Sequence, residues 1–453
     1  MLTKISKRCQ FTYFIPLIYL LLYYFRKIGT QTPFISKYYE QANLVEYLKI
    51  APIDIIKNPN FGIVEYFLAK TGISGIQIMI ISILFLIVNL VLLNIVLKKL
   101  DVKPTKRFFT LIFLAITPIF ISSSFFVSAP IVSINLFFIS ILLKNEYLKV
   151  LIEICSLVIW LPVIIVLLPY EYTKKEGVKT LRKILILSII FLFTYFLSIF
   201  PKLLFSSNLD ILKLSNFASE FGNLYGYSFI ILLLSLIGFI LSWFTSKKNF
   251  MIHLFFIILF FASLRFPSLT YISIYFISFW ASETISFFNK REWELKTLKN
   301  MALFIIFCLV LFSTLFYSIN LLESKPTFAQ ANSLMWMNEN NYQGIILSSY
   351  KNSDMINYFS KNNPFFDKKD RLSLDEANKQ AEIIFYSRNI LNTTNILDNQ
   401  KIEYFYIDKD MKNGGIWTNK NHGLLFLLSN SELFEKIYDV EGIEIWRYVH
   451  NIS

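Results

Sequence analysis

Long apolar runs separated by short polar segments occupy the first 322 positions of the chain. Several runs reach the roughly 20 residues that a helix needs to cross about 30 Å of hydrocarbon. The pattern predicts an α-helical polytopic membrane domain over residues 1–322, with about 10–11 spans if one broken pair of short helices is included. The single spans are predicted near residues 11–25, 76–97, 108–127, 130–143, 184–200, 227–244, 251–264, 270–288 and 301–320.

One apolar stretch, YLKVLIEICSLVIWLPVIIVLLPYEY at 147–172, is longer than a single span and carries Pro162 near its middle. Proline removes a backbone donor and breaks a helix. It is flanked by the lysine-containing segments 144–149 and 173–183. Counting the preceding spans places the first segment on the cytoplasmic side, and its basic residues place the second there as well. We therefore predict two short helices that meet around Trp160–Pro162 and return to the same side of the membrane.

Two longer polar segments, 26–74 and 201–226, are predicted as external loops of the membrane domain. The first contains SKYYEQANLVEYLK at 36–49, which places two carboxylates among tyrosines and lysines. In the second, apolar residues recur at helical spacing. This spacing fits a helix lying along the membrane surface, and a plain connecting loop remains the alternative.

The composition becomes polar after Leu322, and residues 323–453 are predicted to form a separate α/β domain. Strands alternating with helical patterns are typical of that class. Helices are predicted at AQANSLMWMNENN, DMINYFSK and LDEANKQAEIIFYS, and strands at QGIILSS and IEYFYID. The last segment, SELFEKIYDVEGIEIWRYV, is predicted as a helix followed by a strand.

The composition supports this organisation: 55% of the residues are hydrophobic and 17% are charged, against roughly 25% charged in soluble domains. The formal net charge is +13, but the tail is close to neutral, so the excess lies in short loops between the spans. Such loops determine topology, and we expect no nucleic-acid binding. The chain is predicted to be a multi-pass cell-membrane protein with an uncleaved first helix, a cytoplasmic N-terminus and an extracytoplasmic C-terminal domain.

The potential metal ligands are scattered. The three cysteines are Cys9, Cys155 and Cys308, and the three histidines share no metal-ligand spacing with them. No metal site and no cofactor are predicted, although a divalent metal is left open.

The layout resembles that of the C-type glycosyltransferases, polytopic enzymes that transfer a sugar from a polyprenyl-phosphate carrier. The resemblance rests on YYEQANLVEYLK after the first span, IIKNPNFGIVEYFLAKTGISG before the second, the broken pair at Trp160–Pro162, and SLRFPSLTYISIYFISFW in a late span. The tail from Ala329 onward also looks like the external domain of many bacterial and archaeal members.

The chain departs from this family at three places. The acid of the first loop is glutamate, Glu40, where aspartate is usual, and it has no adjacent acid. The loop SSSFFVSAPIVS lacks the second acid that family members commonly carry there. The WWDYG signature of oligosaccharyltransferases is also absent. We therefore do not expect en bloc transfer of a glycan to asparagine.

The resemblance implies roles for four residues. Glu40 is the candidate general base, because a carboxylate can take the proton of an attacking hydroxyl. Arg265 is the candidate for binding the carrier phosphate through its planar fork. Tyr39 is a candidate for stacking on a sugar ring, and Glu46 for a secondary polar contact with substrate. The structural alternatives are a solvated loop glutamate, an arginine that snorkels to headgroups, and an interfacial aromatic belt.

Glu40 and Glu46 are six residues apart, so on a continuous helix they differ by about 120° in direction. The spacing therefore does not favour a paired-carboxylate site.

The predicted function is transfer of a sugar from a polyprenyl-phosphate donor to an extracytoplasmic acceptor hydroxyl on a glycan, lipid or protein. The lipid-linked donor is a substrate, and the oligomeric state is left open. Two alternatives remain. A transporter or flippase of lipid-linked sugars would be expected to carry internal repeats with paired broken helices. A non-catalytic membrane scaffold would keep the same fold and present its tail to a partner.

Overall fold

The computed structural model of the chain describes residues 12–30, 35–50, 63–73, 75–167, 226–245, 250–265, 269–322, 324, 326–366, 371–419, 422–430 and 432–449. The chain divides into two compact units. One contains Met1–Phe25 and Gly62–Leu322, and the other contains Arg26–Phe61 and Glu323–Ser453. The break after Leu322 falls where the composition changes. Residues 26–61, predicted as part of a loop of the membrane domain, group with the tail.

The chain up to residue 322 is helical wherever it is described, apart from turns and short connections. A 3₁₀ turn at Thr12–Phe14 precedes the first helix. The helices are α1 (Ile15–Thr30), α2 (Ser36–Ile50), α3 (Ile63–Thr71), α4 (Ile76–Lys99), α5 (Pro104–Ala115), α6 (Pro118–Ser122), α7 (Ala129–Leu142), α8 (Glu146–Ile159), α9 (Phe229–Thr245), α10 (Phe250–Arg265), α11 (Thr270–Lys290) and α12 (Lys296–Leu322).

Among the described residues, two helices are long and apolar enough to cross a membrane: α4 with 24 residues and α12 with 27. Shorter apolar helices occur within α7, α9 and α10. The complete set of spans, and the sides on which the loops lie, remain predictions. The predicted span 184–200, the loop at 201–225 and most of the second half of the broken pair lie outside the described residues.

Proline shapes the chain at two of the predicted spans. The span predicted as one helix over 108–127 is wrong in detail, because α5 and α6 are separate helices. Thr117 has φ −69° and ψ 145°, the extended conformation that a following proline imposes. The break predicted around Trp160 is confirmed: α8 ends at Ile159, Trp160 is extended, and Leu161–Val163 form a 3₁₀ turn.

Helices α9 and α11 approach each other closely at Gly238. A Cβ atom built at Gly238 would overlap the carbonyl group of Trp280 and lie 2.8 Å from Thr284 Oγ1. One turn away, Thr284 Oγ1 donates to the carbonyl oxygen of Leu234 at 2.6 Å. The two backbones can therefore approach this closely only with glycine at position 238.

Gly238→Ala is expected to force the two helices apart and to destabilise the first unit by about 1–3 kcal/mol, the usual range for overpacking. The measurement is the apparent Tm of the detergent-solubilised chain. Leu236→Ala is the control, because Leu236 lies on the same helix but is exposed. Equal Tm values for wild type and Gly238→Ala would contradict the close approach.

The second unit contains a mixed five-stranded sheet with the order β2-β1-β3-β5-β4. Strands β1, β2 and β3 run parallel, and β5 is antiparallel to both β3 and β4. The strands are β1 (Ile345–Leu347), β2 (Asn363–Pro364), β3 (Ile402–Ile407), β4 (Phe434–Val440) and β5 (Ile443–Tyr448). The helices of the tail are α13 (Phe328–Glu339), α14 (Ser353–Met355), α15 (Arg371–Tyr386), α16 (Ile390–Gln400) and α17 (Leu424–Asn430), and the unit also contains α2.

Each face of this sheet carries its own hydrophobic core, because alternate residues of a strand point to opposite faces. Phe405 and Ile407 of β3 pack in one core with residues of α15, α16 and α17. Tyr404 and Tyr406 of the same strand pack in the other core, with Leu334 of α13 among their neighbours. The α/β class predicted for the tail is therefore confirmed.

The end of the chain differs from the prediction. The helix predicted at SELFEKIYDV is wrong, because Phe434–Val440 forms β4 and pairs with β5 in a hairpin. Glu441 and Gly442 connect the strands with φ values of 53° and 83°. Two consecutive positive φ values match the right-handed twist of paired strands. The cross-strand partner therefore determines the conformation of a segment that also has a helical pattern.

Glu444 on β5 forms ion pairs with two lysines of the second unit. Its Oε1 lies 2.7 Å from Lys412 Nζ and 3.3 Å from Lys436 Nζ, and its Oε2 accepts a hydrogen bond from Trp446 Nε1. Burial alone would raise the pKa of Glu444, but the hydrogen bonds and charges of these partners lower it below the ordinary glutamate value. A carboxyl group with a depressed pKa stabilises the fold above its unfolded pKa, and this contribution is lost as the pH falls through the folded value.

Glu444→Gln is expected to reduce the stability of the second unit by about 1 kcal/mol at pH 7. The difference from wild type should disappear in acid, where Glu444 of the wild type is protonated as well. Unfolding of the full chain by urea, followed at several pH values by proteolysis within the tail, measures this difference. A difference that does not change with pH would rule out the charge as its cause.

Candidate functional site

The acidic-aromatic segment of the first polar region is helix α2 (Ser36–Ile50). Tyr39, Asn43 and Glu46 follow one another at spacings of four and three residues, and so they share one face of the helix. This face lies against residues 353–361 of the tail, which comprise α14, the π-helical turn Ile356–Ser360 and Lys361. We call this stretch the anchor segment.

Buried contacts join α2 to the anchor segment. Asn43 Nδ2 donates to the carbonyl oxygen of Asp354 at 2.8 Å. The ring of Tyr39 lies 4.7 Å from that of Tyr358 and 5.0 Å from that of Phe359, measured between centroids. Because Asn43 and Tyr39 are both buried, these contacts fix the helix against the tail.

Arg26 further ties the start of this region to the tail. Its side chain is 1% exposed. Its guanidinium donates to the carbonyl oxygens of Ser324 and Pro326 at 2.6 and 3.1 Å, and to Ser324 Oγ at 3.0 Å. These bonds help explain why residues from Arg26 onward belong to the same compact unit as the tail.

Glu40 follows Tyr39 on α2, so its side chain is rotated by about 100° from the face that meets the anchor segment. Its carboxyl group is 31% exposed, and Oε2 lies 2.8 Å from Lys37 Nζ, one turn earlier. Glu40 is thus a partly exposed carboxylate on a helix that is held by buried contacts. Its role as a general base stays a prediction.

Tyr39 and Glu46 occupy different environments. Tyr39 is 2% exposed, and protein rings surround it, so its stacking on a sugar stays a prediction that requires these rings to separate. Glu46 is 58% exposed and lies 3.9 Å from Lys361 Nζ. The pKa of the Tyr358 hydroxyl is raised, first by burial and then by the charge of Glu46. The role of Glu46 in substrate binding also stays a prediction.

Arg265 belongs to the other compact unit, where it is the last residue of α10. The neighbouring segment 266–268 and the side chain of Arg265 lie outside the described part of the structure. Phosphate binding by Arg265 therefore stays a prediction. In the same unit, two further carboxylates form ion pairs: Glu153 with Lys149 at 3.4 Å, and Glu283 with Lys106.

A buried polar cluster in the tail was not predicted from the sequence. Asp408 is 1% exposed and follows the last residue of β3. Its Oδ2 accepts from Gln330 Nε2 at 3.1 Å and from Asn352 Nδ2 at 3.2 Å, and its Oδ1 accepts from the amide of Met411 at 2.9 Å. An acid directly after the strand IEYFYI was the available signal, but its partners lie 56 and 78 residues away along the chain.

No protein-family model matches the chain, and no curated protein is significantly similar to it in sequence. Solved structures do match. The crystal structure of the Archaeoglobus fulgidus oligosaccharyltransferase in complex with Zn and sulfate aligns with a TM-score of 0.55 and 12% identity, over 88% of this chain and 68% of the other. The chain therefore shares the fold of this structure.

A second crystal structure of the A. fulgidus oligosaccharyltransferase, tethered to an acceptor peptide containing the NVT sequon, gives the same result. It aligns with a TM-score of 0.56 and 9% identity, over 88% of this chain and 69% of the other. The C-type glycosyltransferase fold expected from the sequence is thereby supported. At identities of 9–12%, the alignments show a shared fold and do not show a shared activity.

The zinc ion in the first neighbour raises the question of a metal site in this chain. Within the described ranges, no group of three or more His, Cys, Asp or Glu side chains is placed to hold a metal ion. Glu40 has Lys37 as an ion-pair partner. We assign no metal-dependent step to these residues.

Proposed function

We propose that the chain transfers a sugar from a polyprenyl-phosphate donor to the hydroxyl group of an extracytoplasmic acceptor. The observation that carries this proposal is the oligosaccharyltransferase fold, which aligns over 88% of the chain. Two helices of membrane-spanning length are consistent with a donor that keeps its lipid tail in a bilayer. The proposed location is the cell membrane, with several spans and the tail outside the cytoplasm.

In the proposed reaction, the oxygen of the acceptor hydroxyl attacks C1 of the sugar, and the bond between C1 and the phosphate oxygen breaks. The hydroxyl proton passes to the carboxylate of Glu40, and the bonding electrons leave with the polyprenyl phosphate. Attack from the face opposite the leaving group inverts the anomeric centre. A positioned carboxylate base contributes typically 10²- to 10⁴-fold to such a step.

Arg265 is proposed to stabilise the departing phosphate. Charge builds up on the leaving oxygen as the C1–O bond breaks, and a guanidinium can donate two parallel hydrogen bonds to a phosphate group. Lysine lacks this planar fork. Arg265→Lys is therefore expected to slow transfer even though the positive charge is kept.

The missing WWDYG signature favours a hydroxyl acceptor over an asparagine side chain. One structural neighbour is tethered to a peptide with an NVT sequon, but this chain lacks WWDYG. A hydroxyl needs only a base to become a nucleophile, and Glu40 is the proposed base.

The proposal is tested with purified chain in proteoliposomes that contain a labelled polyprenyl-phosphate sugar, supplied with candidate glycan, lipid and peptide acceptors. Formation of a labelled product with inverted anomeric configuration supports the enzyme. Movement of the labelled lipid across the bilayer with no product would identify a transporter instead. Absence of both, with capture of a partner by the intact chain, would favour the scaffold.

A further inference from the structure

We propose that Asp408 is a positioning residue for Glu40, acting through the anchor segment. This inference rests on the proposed function for its catalytic consequence, because it takes Glu40 as the base. Its structural part, that Asp408 holds α2 in place, can be measured independently of the reaction.

The buried cluster provides the first step. Asp408 accepts hydrogen bonds from two side-chain amides and one backbone amide, as described above. Asn352, which is 0% exposed, also donates to Ser348 Oγ at 3.0 Å. The side-chain amide of Asn352 is therefore held by Asp408, which follows β3, and by Ser348, which follows the adjacent parallel strand β1. Loss of one of these hydrogen bonds would leave a buried polar group without a partner, which is costly because water cannot reach it. This cost keeps the side chains in place.

The second step runs along the backbone. Asn352 ends the 3₁₀ turn Tyr350–Asn352, and the anchor segment begins at the next residue. The side chain of Asn352 is thus bound to Asp408 two residues before Asp354, whose carbonyl oxygen accepts from Asn43 of α2. A change in the position of Asn352 is transmitted directly to the acceptor of that bond.

The third step reaches Glu40. Tyr39 packs on Tyr358 and Phe359 of the anchor segment, and Glu40 is the next residue of the same helix. A shift of the anchor segment would therefore rotate or translate α2 and displace the carboxylate. Misplacement of a catalytic group by about 1 Å can cost on the order of 100-fold in rate.

Asp408→Asn is the informative variant, because it keeps the shape of the side chain but turns an amide toward the amides of Gln330 and Asn352. We expect hydrogen exchange in residues 36–46 and 353–360 to become about tenfold or more faster. We expect kcat for transfer to fall by roughly tenfold or more, with KM for the donor changed by less than about twofold, since the binding groups remain.

Thr393→Val is the matched control. Thr393 of α16 is 0% exposed and donates to the carbonyl oxygen of Asn389, the residue before this helix. Leu397 of α16 belongs to the core on the other face of the sheet. This substitution also removes a buried hydrogen bond, but it should leave exchange in residues 36–46 unchanged. A purely structural role of Asp408 would instead raise exchange evenly across the sheet and its helices.

The double variant Asp408→Asn with Asn352→Asp exchanges the two side chains, so that an amide donor at position 408 faces a carboxylate acceptor at position 352. We expect this variant to regain the protection of α2 against hydrogen exchange and most of kcat. The inference is overturned if Asp408→Asn folds with unchanged exchange in residues 36–46, or if the double variant folds with α2 still unprotected. If Asp408→Asn does not fold, the double variant alone decides. Full transfer by Glu40→Gln would remove the proposed base, but the exchange result would still show whether Asp408 holds α2.

Discussion

Replacement of Glu40 by glutamine is expected to lower kcat for sugar transfer by about 10²- to 10⁴-fold, the usual contribution of a general base. Glutamine keeps the length of the side chain and can hydrogen-bond, but it cannot accept the hydroxyl proton. The backbone of α2 should not move, because Asn43 and Tyr39 hold the helix from a different face. KM for the donor should therefore change little, and the measurement is steady-state transfer in proteoliposomes.

The control must remove a similar ion pair on an element other than α2. Asp439→Asn does so: Lys436 Nζ lies 2.9 Å from Asp439 Oδ2 at a spacing of three residues, as Lys37 does from Glu40 at 2.8 Å. Loss of an exposed pair costs about 0–1 kcal/mol, so transfer should stay near the wild-type rate. Transfer at the wild-type rate by Glu40→Gln would exclude Glu40 as the base.

The largest effect on stability is expected from Trp417→Ala in the tail. Trp417 is 0% exposed, and its ring lies 5.5 Å from that of Phe385. Its Nε1 also donates to the carbonyl oxygen of Phe385 at 2.8 Å. Removal of the ring leaves a cavity and a buried carbonyl that has lost this donor. We expect the second unit to lose about 3–5 kcal/mol of unfolding free energy.

Denaturant titration of the full chain, with cleavage by a protease within residues 371–449 as the readout, measures this loss. Leu391→Ala is the control, because Leu391 is 78% exposed and surface substitutions usually change stability by less than about 0.5 kcal/mol. Unfolding midpoints that agree for Trp417→Ala and wild type would show that the core on this face does not stabilise the tail.

The sequence predicts well those elements whose signal is local. Helices α4, α9, α10, α11 and α12 lie close to their predicted positions because a continuous apolar run, or an apolar stripe, needs no distant partner to be recognised. Pro162 likewise marks the end of α8, since proline acts on its own turn of helix. The helices and strands that were predicted in the tail up to residue 408 follow their patterns for the same reason, whereas β2 and α16 were not predicted.

The sequence fails where a distant partner decides the conformation. Phe434–Val440 has a helical pattern but forms β4, because β5 offers hydrogen bonds and the Glu441–Gly442 turn brings the strands together. Helix α2 was expected in an external loop of the membrane domain, whereas its buried face belongs with the tail. That contact joins residues 311 positions apart, and local periodicity carries no information about it.

In the candidate site, the acidic residue could be identified from the sequence, whereas its surroundings could not. Glu40 was selected because the resemblance to the C-type glycosyltransferases implies a catalytic acid in the loop after the first apolar helix, where YYEQANLVEYLK lies. Its surroundings, namely Lys37, the covered ring of Tyr39 and the anchor segment, depend on packing. The sequence does not indicate that Asp408 is buried, because a single aspartate after a strand cannot be distinguished from a surface acid until its hydrogen-bond donors are known.

The sequence by itself determined the apolar helices, the polar α/β tail and the acid after the first helix, since hydrophobic periodicity and charge are properties of neighbouring residues. The tertiary structure alone decided that α2 packs with the tail, that the chain ends in a hairpin, and that a buried carboxyl group supports the segment on which α2 rests. These features come from contacts between residues far apart in the chain, which form only when burial and hydrogen bonding together offset the entropy of closing long loops.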